Sequence, residues 1–255
     1  MSGRPADAPA TTGSASSSPQ HVGPGAAASA EPLAVPAAAP PTAPPTAPLA
    51  APLAARVRAL LARGGRTVLG IAGAPGAGKS TLAAQVAAAF GSACVVVPMD
   101  GFHLAQTELE RIGRADRKGA PDTFDSDGYV ALLRRLREPR PGHVVYAPEY
   151  RRDLRNPVAG AVAVPADVPL VVTEGNYLLL DAHGFAPVAD LLDEAWFVAP
   201  DDDVRLARLV ARHERFGKPP AAALAWSTGP DAANARLVAP TAVRAQVVVG
   251  PGLLG

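Results

Sequence analysis

Short apolar runs alternate with helical patterns along most of the chain. The runs TVLGIAG, ACVVVPM, PLVVTEG and EAWFVA are largely unbroken, as expected for strands that are buried on both faces of a sheet. Between them lie segments with apolar residues every three or four positions, which is the spacing of an amphipathic helix. The alternation predicts βαβ units and therefore an α/β domain of three layers, with a parallel central sheet flanked by helices.

The helices can be placed from their capping residues and apolar spacing. The predicted helices are LAARVRALLARGG from Leu53, Lys79 to Phe90, the segment that starts at Ser126, DDDVRLARLVARHERFG, and Pro220 to about Leu237. The segment from Gly101 to about Arg114 fits either a helix or a loop. HVVYAPEY and QVVV have the pattern of two more strands.

Residues 1–52 differ from the rest of the chain in composition. They consist mainly of Ala, Pro, Ser, Thr and Gly, as in PLAVPAAAPPTAPPTAPLAAP, and the frequent prolines argue against a helix. We expect a disordered tail that lacks the charged start and unbroken apolar core of a secretory signal. Residues 53–255 are then expected to form one domain.

Composition limits the partners that this domain needs. The hydrophobic fraction is 48% but aromatic residues make up only 5%, so the core must be built from Val, Leu and Ala. A net charge of +1 gives no reason to expect a nucleic-acid or membrane partner, and no apolar stretch reaches the roughly 20 residues of a spanning helix. The single cysteine, Cys94, cannot form an internal disulfide, which fits a cytoplasmic location. The oligomeric state stays open, with a homodimer as one option.

A glycine-rich turn joins the first predicted strand to the next helix, in GIAGAPGAGKSTLA. Residues Gly73 to Ser80 match the pattern G-x-x-x-x-G-K-[ST] at every fixed position. In such a phosphate-binding loop, or P-loop, backbone N–H groups surround the nucleotide phosphates, the lysine reaches the β- and γ-phosphates, and the hydroxyl helps to hold Mg²⁺. The predicted nucleotide contacts are Gly73, Ala74, Pro75, Gly76, Ala77, Gly78, Lys79, Ser80 and Thr81.

Two acidic residues follow predicted parallel strands. Asp100 comes directly after ACVVVPM, and Glu174 comes directly after PLVVT. Because ligands of open parallel sheets bind beyond the carboxyl ends of the strands, we expect both acids near the P-loop. Phosphoryl transfer to an alcohol needs a carboxylate that accepts the hydroxyl proton and an acid on the Mg²⁺ side. We assign Asp100 to the first role and Glu174, with Ser80, to the metal, although the two acids could exchange roles.

Four arginines recur every three or four residues in DDDVRLARLVARHERFG, namely Arg205, Arg208, Arg212 and Arg215. One interpretation is a solvated helix face. The other is a lid whose cations close over the transferring phosphoryl group, with the following Gly-Lys-Pro-Pro as a hinge. We expect Arg212 and Arg215 to serve the lid, with Arg212 acting in catalysis, and Arg205 and Arg208 to form a structural face.

Further motifs follow the P-loop in a fixed order. They are MDGFH, RKGAPDTFD, APEY, EGNYLLL and APTAVRAQVVV. In this set the chain resembles the kinase group of bacterial type I pantothenate kinase and uridine kinase, including the nucleoside/nucleotide kinase family proteins. The resemblance covers about residue 66 to the C-terminus. It implies a P-loop NTPase fold and the use of ATP and Mg²⁺ to phosphorylate a hydroxyl on a small metabolite.

The resemblance also implies roles for single residues. The aspartate after the second strand contacts the acceptor hydroxyl in this group, which corresponds to Asp100 here. The RKG segment lines the acceptor side, which implies Arg117 and Lys118. The segment that ends the family pattern lies near the nucleotide, which implies Thr241 and Arg244.

The chain departs from the pantothenate kinases on the acceptor side. Those enzymes have Tyr-Ser-His where this chain has Tyr150, Arg151 and Arg152, so a guanidinium replaces the imidazole that meets the substrate. This change argues against pantothenate, and an acceptor with a carboxylate or phosphate would suit Arg152. His103, in MDGFH, is expected either to orient the acceptor or to cap the next helix.

Two classes of function remain at this stage. The leading hypothesis is ATP-dependent phosphorylation of a hydroxyl on a nucleoside, a sugar or a pantothenate-like alcohol. The alternative is a GTPase or another regulatory nucleotide-binding module that transfers no phosphate to a metabolite. A guanine-specific protein would need an N-K-x-D stretch, which this sequence lacks. The sequence does not identify the acceptor.

Overall fold

The computed structural model describes residues 47–253. The disorder predicted for residues 1–46 therefore lies outside the described residues. The first helix, α1 (Ala51–Leu61), begins two residues before the predicted domain boundary. Pro52 lies in its first turn, where a missing N–H and a fixed φ cost nothing.

The described chain alternates between helices and strands, as the pattern predicted. The helices after α1 are α2 (Lys79–Phe90), α3 (Gln106–Arg111), α4 (Ser126–Arg137), α5 (Asp202–Arg215), α6 (Pro220–Thr228) and α7 (Pro230–Val238). The strands are β1 (Thr67–Ala72), β2 (Cys94–Pro98), β3 (Val144–Arg151), β4 (Asn156–Pro165), β5 (Leu170–Gly175), β6 (Glu194–Val198) and β7 (Val247–Val249).

Five of these strands form one parallel sheet in the order β2-β5-β1-β6-β7. The central strand β1 pairs with β5 and β6, and every residue of all three strands is buried. Helices cover both faces of the sheet, which confirms the predicted three-layer α/β architecture. All five strands point the same way, so their carboxyl ends form a single edge.

Side chains of β1 alternate between two hydrophobic clusters, one on each face of the sheet. Val68 belongs to a cluster that includes Tyr129 of α4, whereas Leu69 and Ile71 belong to a second cluster that includes Leu82 of α2. Both clusters consist mostly of Val, Leu and Ala with a few rings, as the composition required.

Cys94 begins β2 and is only 9% exposed. Burial in the apolar cluster between the sheet and α2 raises the pKa of its thiol to about 12. It is a free cysteine and forms no disulfide.

The sequence predicted β3 but not its partner. β3 and β4 form a separate antiparallel hairpin, with a register shift between Ala147 and Glu149 on either side of Pro148. The segment NPVAGAVAVP of β4 has small side chains and weak polar contrast, which hid its period of two.

Two further segments contain more secondary-structure elements than the sequence predicted. The single helix predicted over about 220–237 is two helices, because Pro230 disfavours a helical conformation at Gly229, where φ is −97° and ψ is −98°. The segment that fitted either a helix or a loop contains a 3₁₀ turn at Met99–Phe102 and the short helix α3. Within residues 47–253, no helix combines the length and the apolarity that crossing a bilayer requires.

Gly101 connects the sheet to the hairpin through a close backbone contact. A Cβ at this position would lie 2.3 Å from the carbonyl oxygen of Pro148, which is backbone and cannot rotate away. We expect Gly101→Ala to lower the free energy of unfolding by about 1–3 kcal/mol, as overpacking does, in urea denaturation. Gly250→Ala is the matched control, since a Cβ there meets nothing within 4 Å, and its effect should stay within about 0.5 kcal/mol. Equal stability of the two variants would contradict this contact.

Candidate active site

A cavity of about 630 Å³ opens at the carboxyl edge of the parallel sheet. Its walls come from the P-loop, the turn after β2, the end of β5, the β3–β4 hairpin and the helices α5 to α7. Open parallel sheets bind ligands at this edge, because the loops that follow neighbouring strands meet there.

The P-loop adopts a backbone that only glycine accepts easily. Gly76 and Gly78 have φ values of 81° and 102°, and Gly78 ends the loop in the left-handed conformation directly before α2. A Cβ on Gly76 would lie 2.8 Å from the carbonyl oxygen of Arg205. The first half of α5 therefore packs directly against the loop.

Lys79 is the first residue of α2 and is only 8% exposed. Its Nζ donates hydrogen bonds to Oδ1 of Asn176 at 2.7 Å and to the carbonyl oxygen of Ala74 at 3.1 Å. Burial lowers the pKa of this ammonium to about 8, although the carboxylates of Glu174 and Asp100 oppose the shift. Lys79 therefore titrates close to neutral pH.

Glu174 is the last residue but one of β5 and is 6% exposed. Its Oε1 accepts a hydrogen bond from the Ser80 hydroxyl at 2.9 Å. Burial raises the pKa of Glu174, and the negative charge of Asp100 raises it further.

Asp100 lies in the turn after β2 and lines the cavity from a second side. Burial opposes its ionisation, but the charges of His103, Arg152 and Lys79 outweigh burial and lower the pKa of Asp100. The two environments thus shift the pKa values of the carboxyl groups in opposite directions, so that Asp100 is ionised and Glu174 is harder to ionise. Such a separation is typical of acids with different roles in one site.

His103 lies against Asp100 on the acceptor side of the cavity. Its Nδ1 is 2.9 Å from the carbonyl oxygen of Asp100, and its ring centroid is 4.9 Å from that of Tyr150. Burial lowers the pKa of the imidazole. The N–H of Gln106, the first residue of α3, donates to Oδ1 of Asn156, whereas Nδ1 of His103 contacts the carbonyl oxygen of Asp100, so the alternative that His103 caps this helix is wrong.

Lys118, Tyr150 and Arg152 also line the cavity, next to His103. Nη2 of Arg152 is 3.9 Å from Oδ2 of Asp100. Nζ of Lys118 lies 5.4 Å from the centroid of the Tyr150 ring, where a cation is attracted to the face of the ring. The structure thus brings three of the proposed acceptor residues together around Asp100.

Outside the P-loop, the proposed residues Arg117, Thr241 and Arg244 do not line this cavity. Arg117 pairs with Asp122 at 2.8 Å and faces solvent. Thr241 donates to the carbonyl oxygen of Val238, and Arg244 donates to that of Leu179. These bonds give all three residues structural partners, which corrects the expectation that Arg117 belongs to the acceptor wall and leaves a nucleotide role for Thr241 and Arg244 without support.

The four arginines of α5 do not divide between a lid and a structural face as expected. Arg212 lines the cavity as expected, and its charge acts on Lys79 and Asp100, but Arg215 is exposed and does not line it. Arg205 donates to the carbonyl oxygen of Pro75 at 3.3 Å, and Arg208 lies beside Gly78. The two arginines that were assigned to a plain structural face therefore contact the P-loop.

Asn176 is the site residue that sequence reasoning missed. It holds the Lys79 ammonium, yet an asparagine in a loop has many common roles and gave no distinct pattern. The signal available was its position two residues after Glu174, at the end of a buried strand.

The oxygen atoms of Ser80 and Glu174 fit a magnesium ion. Mg²⁺ binds hydroxyl and carboxylate oxygens and keeps most of its ligands as water and substrate phosphate, so a site of one carboxylate is sufficient. Among residues 47–253 no cluster of three or more His, Cys, Asp or Glu residues could hold a metal by protein ligands alone. A metal shared with a nucleotide agrees with this donor set.

A family model described as phosphoribulokinase/uridine kinase matches residues 68–218, which is more than half of the chain. The chain belongs to the phosphoribulokinase/uridine kinase family. Membership identifies it as a P-loop kinase that uses ATP to phosphorylate a small metabolite. It also favours the kinase over the GTPase or regulatory alternative.

Individual relatives support this family. A Schizosaccharomyces pombe protein provisionally named a uridine kinase is 35% identical over 167 residues, which cover 62% of this chain and 71% of that protein. A uridine kinase of Clostridium perfringens is 30% identical over 147 residues, or 56% of this chain and 66% of its own length. A crystal structure from a Silicibacter species, provisionally named a fructose transport system kinase, superposes with a TM-score of 0.69 at 37% identity and covers 77% of this chain and 98% of that one.

The shifted pKa of Lys79 predicts how ATP binding depends on pH. With a pKa of about 8 in the free protein, the ammonium is mostly protonated at pH 7.5 and mostly neutral at pH 9. Since the phosphates attract only the charged form, ATP affinity should fall roughly five- to tenfold over this range.

Calorimetry in buffers of different ionisation enthalpy should show proton uptake on ATP binding between pH 8 and 9. Lys79→Ala should bind ATP weakly and without this pH dependence. An affinity of the unmodified protein that stays constant from pH 7.5 to 9 would refute the low pKa.

Proposed function

We propose that this family member transfers the γ-phosphoryl group of ATP to a hydroxyl of its metabolite. The proposal rests on one observation: the Lys79 ammonium, the Ser80 hydroxyl and the carboxyl groups of Asp100 and Glu174 line one cavity at the edge of the sheet. A cation, an ionised carboxylate and a hydroxyl–carboxylate pair are the groups that this transfer requires.

The bond changes follow from these positions. The acceptor oxygen attacks the γ-phosphorus and forms a new P–O bond, while the bond between the γ-phosphorus and the bridging oxygen breaks and leaves ADP. The hydroxyl proton passes to the carboxylate of Asp100, which is ionised because the surrounding cations lower its pKa. Lys79 and Arg212 contribute positive charge on the side of the transferring group.

Ser80 and Glu174 are the residues that would hold Mg²⁺. When bound, Mg²⁺ supplies positive charge that offsets the charge of the phosphate oxygens. Glu174 suits this role because a nearby cation would favour the ionised form that burial disfavours.

The acceptor classes that fit are a nucleoside, a sugar or a related alcohol. Relatives named as uridine kinases favour a nucleoside, and the structural neighbour provisionally named a fructose transport system kinase favours a sugar. Pantothenate is the least supported, because Arg152 stands where the pantothenate kinases have their substrate-binding histidine.

Replacing the proposed base tests the mechanism. Asp100→Asn keeps the size and polarity of the side chain but removes the proton acceptor, so turnover should fall by about 10²- to 10⁴-fold in an ADP-release assay. The dissociation constant for ATP should change much less than turnover when both are measured at pH 7, because the P-loop and the Lys79 side chain stay in place and Asp100 only modulates the pKa of Lys79.

Asp190→Asn is the control for this test, since Asp190 is exposed and does not line the cavity. It should retain full turnover. Full activity of Asp100→Asn would exclude Asp100 as the base.

A further inference from the structure

The side of the cavity beyond Asp100 carries three cations, and the proposed transfer uses only one of them, Arg152, which helps to keep Asp100 ionised. The three cations are Lys118, Arg152 and Arg155, here called the outer cation cluster. Nζ of Lys118 donates to the carbonyl oxygen of Arg155 at 2.8 Å, and Nη2 of Arg155 donates to that of Phe216 at 3.3 Å. The guanidinium of Arg152 lies 5.5 Å from the Phe216 ring, so the three cations form one connected group.

Two of these cations form no ion pair among the described residues, although the charge of Glu110 acts on Lys118 from a distance. Arg152 has Asp100 at 3.9 Å, but neither Lys118 nor Arg155 makes an ion pair within residues 47–253. The hydrogen bonds of Lys118 go to neutral oxygens, one on Gln106 and one on the backbone. Glu110, the nearby acid of this wall, accepts a hydrogen bond from Gln106 instead.

Two members of the outer cation cluster, Lys118 and Arg155, contribute no charge at the phosphate-binding end of the cavity, unlike Arg152. The charges that act on Lys79 belong to Glu174, Asp100, Arg212 and Arg152. The pKa of Lys118 is lowered by burial first and by Arg155 second, the charge of Glu110 opposes this shift, and none of the P-loop groups contributes. Lys118 and Arg155 are therefore available to something other than the triphosphate.

The backbone of Arg155 is strained at this point. Its φ of 52° is in the left-handed region, which non-glycine residues adopt rarely and mainly where surrounding contacts hold them there. This conformation turns the carbonyl oxygen to Lys118 and the guanidinium to Phe216. This backbone conformation thus links Lys118 to Arg155 while both side chains line the cavity.

We propose that the acceptor is a hydroxyl compound that already carries a phosphate monoester, which Lys118 and Arg155 bind while the hydroxyl faces Asp100. This inference rests on the proposed kinase function and names the substrate class of the same site. A phosphate monoester carries about two negative charges near neutral pH, which matches the two unpaired cations, and its oxygens accept hydrogen bonds from both side chains. A neutral sugar or nucleoside would leave both charges unmatched.

The test compares matched pairs that differ only by a phosphate group. The pairs are fructose with its 1- and 6-phosphates, ribose with ribose 5-phosphate, and uridine with uridine 5′-monophosphate. ADP release is measured with each, and binding is measured by calorimetry with protein saturated with MgADP. We expect phosphate-bearing members to give the higher kcat/KM and the lower dissociation constant.

Lys118→Met removes one charge at nearly constant length. For the preferred phosphate-bearing compound it should raise the dissociation constant, and KM where transfer occurs, by about tenfold or more, with kcat changed much less. The KM for ATP and the values for the neutral member should stay the same, which a general structural defect would not allow. Arg155→Asn removes the other charge and should therefore act in the same direction. Asparagine is chosen because it tolerates a left-handed φ, so the backbone should keep its conformation.

Arg151→Gln is the control for the loss of a hairpin charge. Arg151 is exposed, pairs with Asp153 at 2.7 Å and does not line the cavity, so its removal should leave every constant unchanged.

The outcomes separate this inference from the kinase proposal. Transfer to a neutral member with no effect of Lys118→Met would overturn the phosphate site while the kinase function stands. Phosphate-dependent binding without any ADP release would support the site and count against the kinase function. Absence of binding by every phosphate-bearing compound would overturn the phosphate site.

Discussion

The site depends on mutual compensation between the buried ammonium of Lys79, the buried carboxyl group of Glu174 and the partly exposed carboxyl group of Asp100. Lys79 would be costly to bury alone, as would Glu174, yet each favours the charged form of the other. The parallel sheet makes this arrangement available, because β1, β2 and β5 end at the same edge and deliver one group each. The glycine backbone of the P-loop then lets α2 start where the lysine can reach that edge.

The compensation is incomplete, and this gives the groups different protonation behaviour. The pKa of Lys79 falls to about 8 while that of Glu174 rises. Without a ligand, the charged form of each group is therefore less favoured than in a free lysine or glutamate. A triphosphate and a divalent cation would each supply the charge that its neighbour lacks. The proposed binding of ATP and the proposed transfer would therefore both depend on these two shifted pKa values.

The sequence predicted those parts of the molecule that have strong local patterns. The parallel strands were predicted because short unbroken apolar runs such as PLVVTEG are typical of buried strands. The P-loop was predicted because its fixed positions allow few backbone conformations. Asp100 and Glu174 followed from strand ends alone. The partner strand β4 and the position of Arg215 depended on weak side-chain contrast or on tertiary packing. The break at Gly229 follows from Pro230, a local signal that sequence reasoning did not use. Asn176 and Arg155 gain their importance from neighbours that are distant in sequence, and the one local signal was the position of Asn176 just after a buried strand.

The buried thiol of Cys94 has a practical consequence. This chain has a single cysteine, and in the native state its thiolate is nearly absent at neutral pH because burial raises the pKa to about 12. Maleimide dyes and oxidants can therefore react only with molecules in which the edge of the sheet has opened. The protein thus contains its own reporter of unfolding, at a position remote from the chemistry, that can be read without introducing any label site.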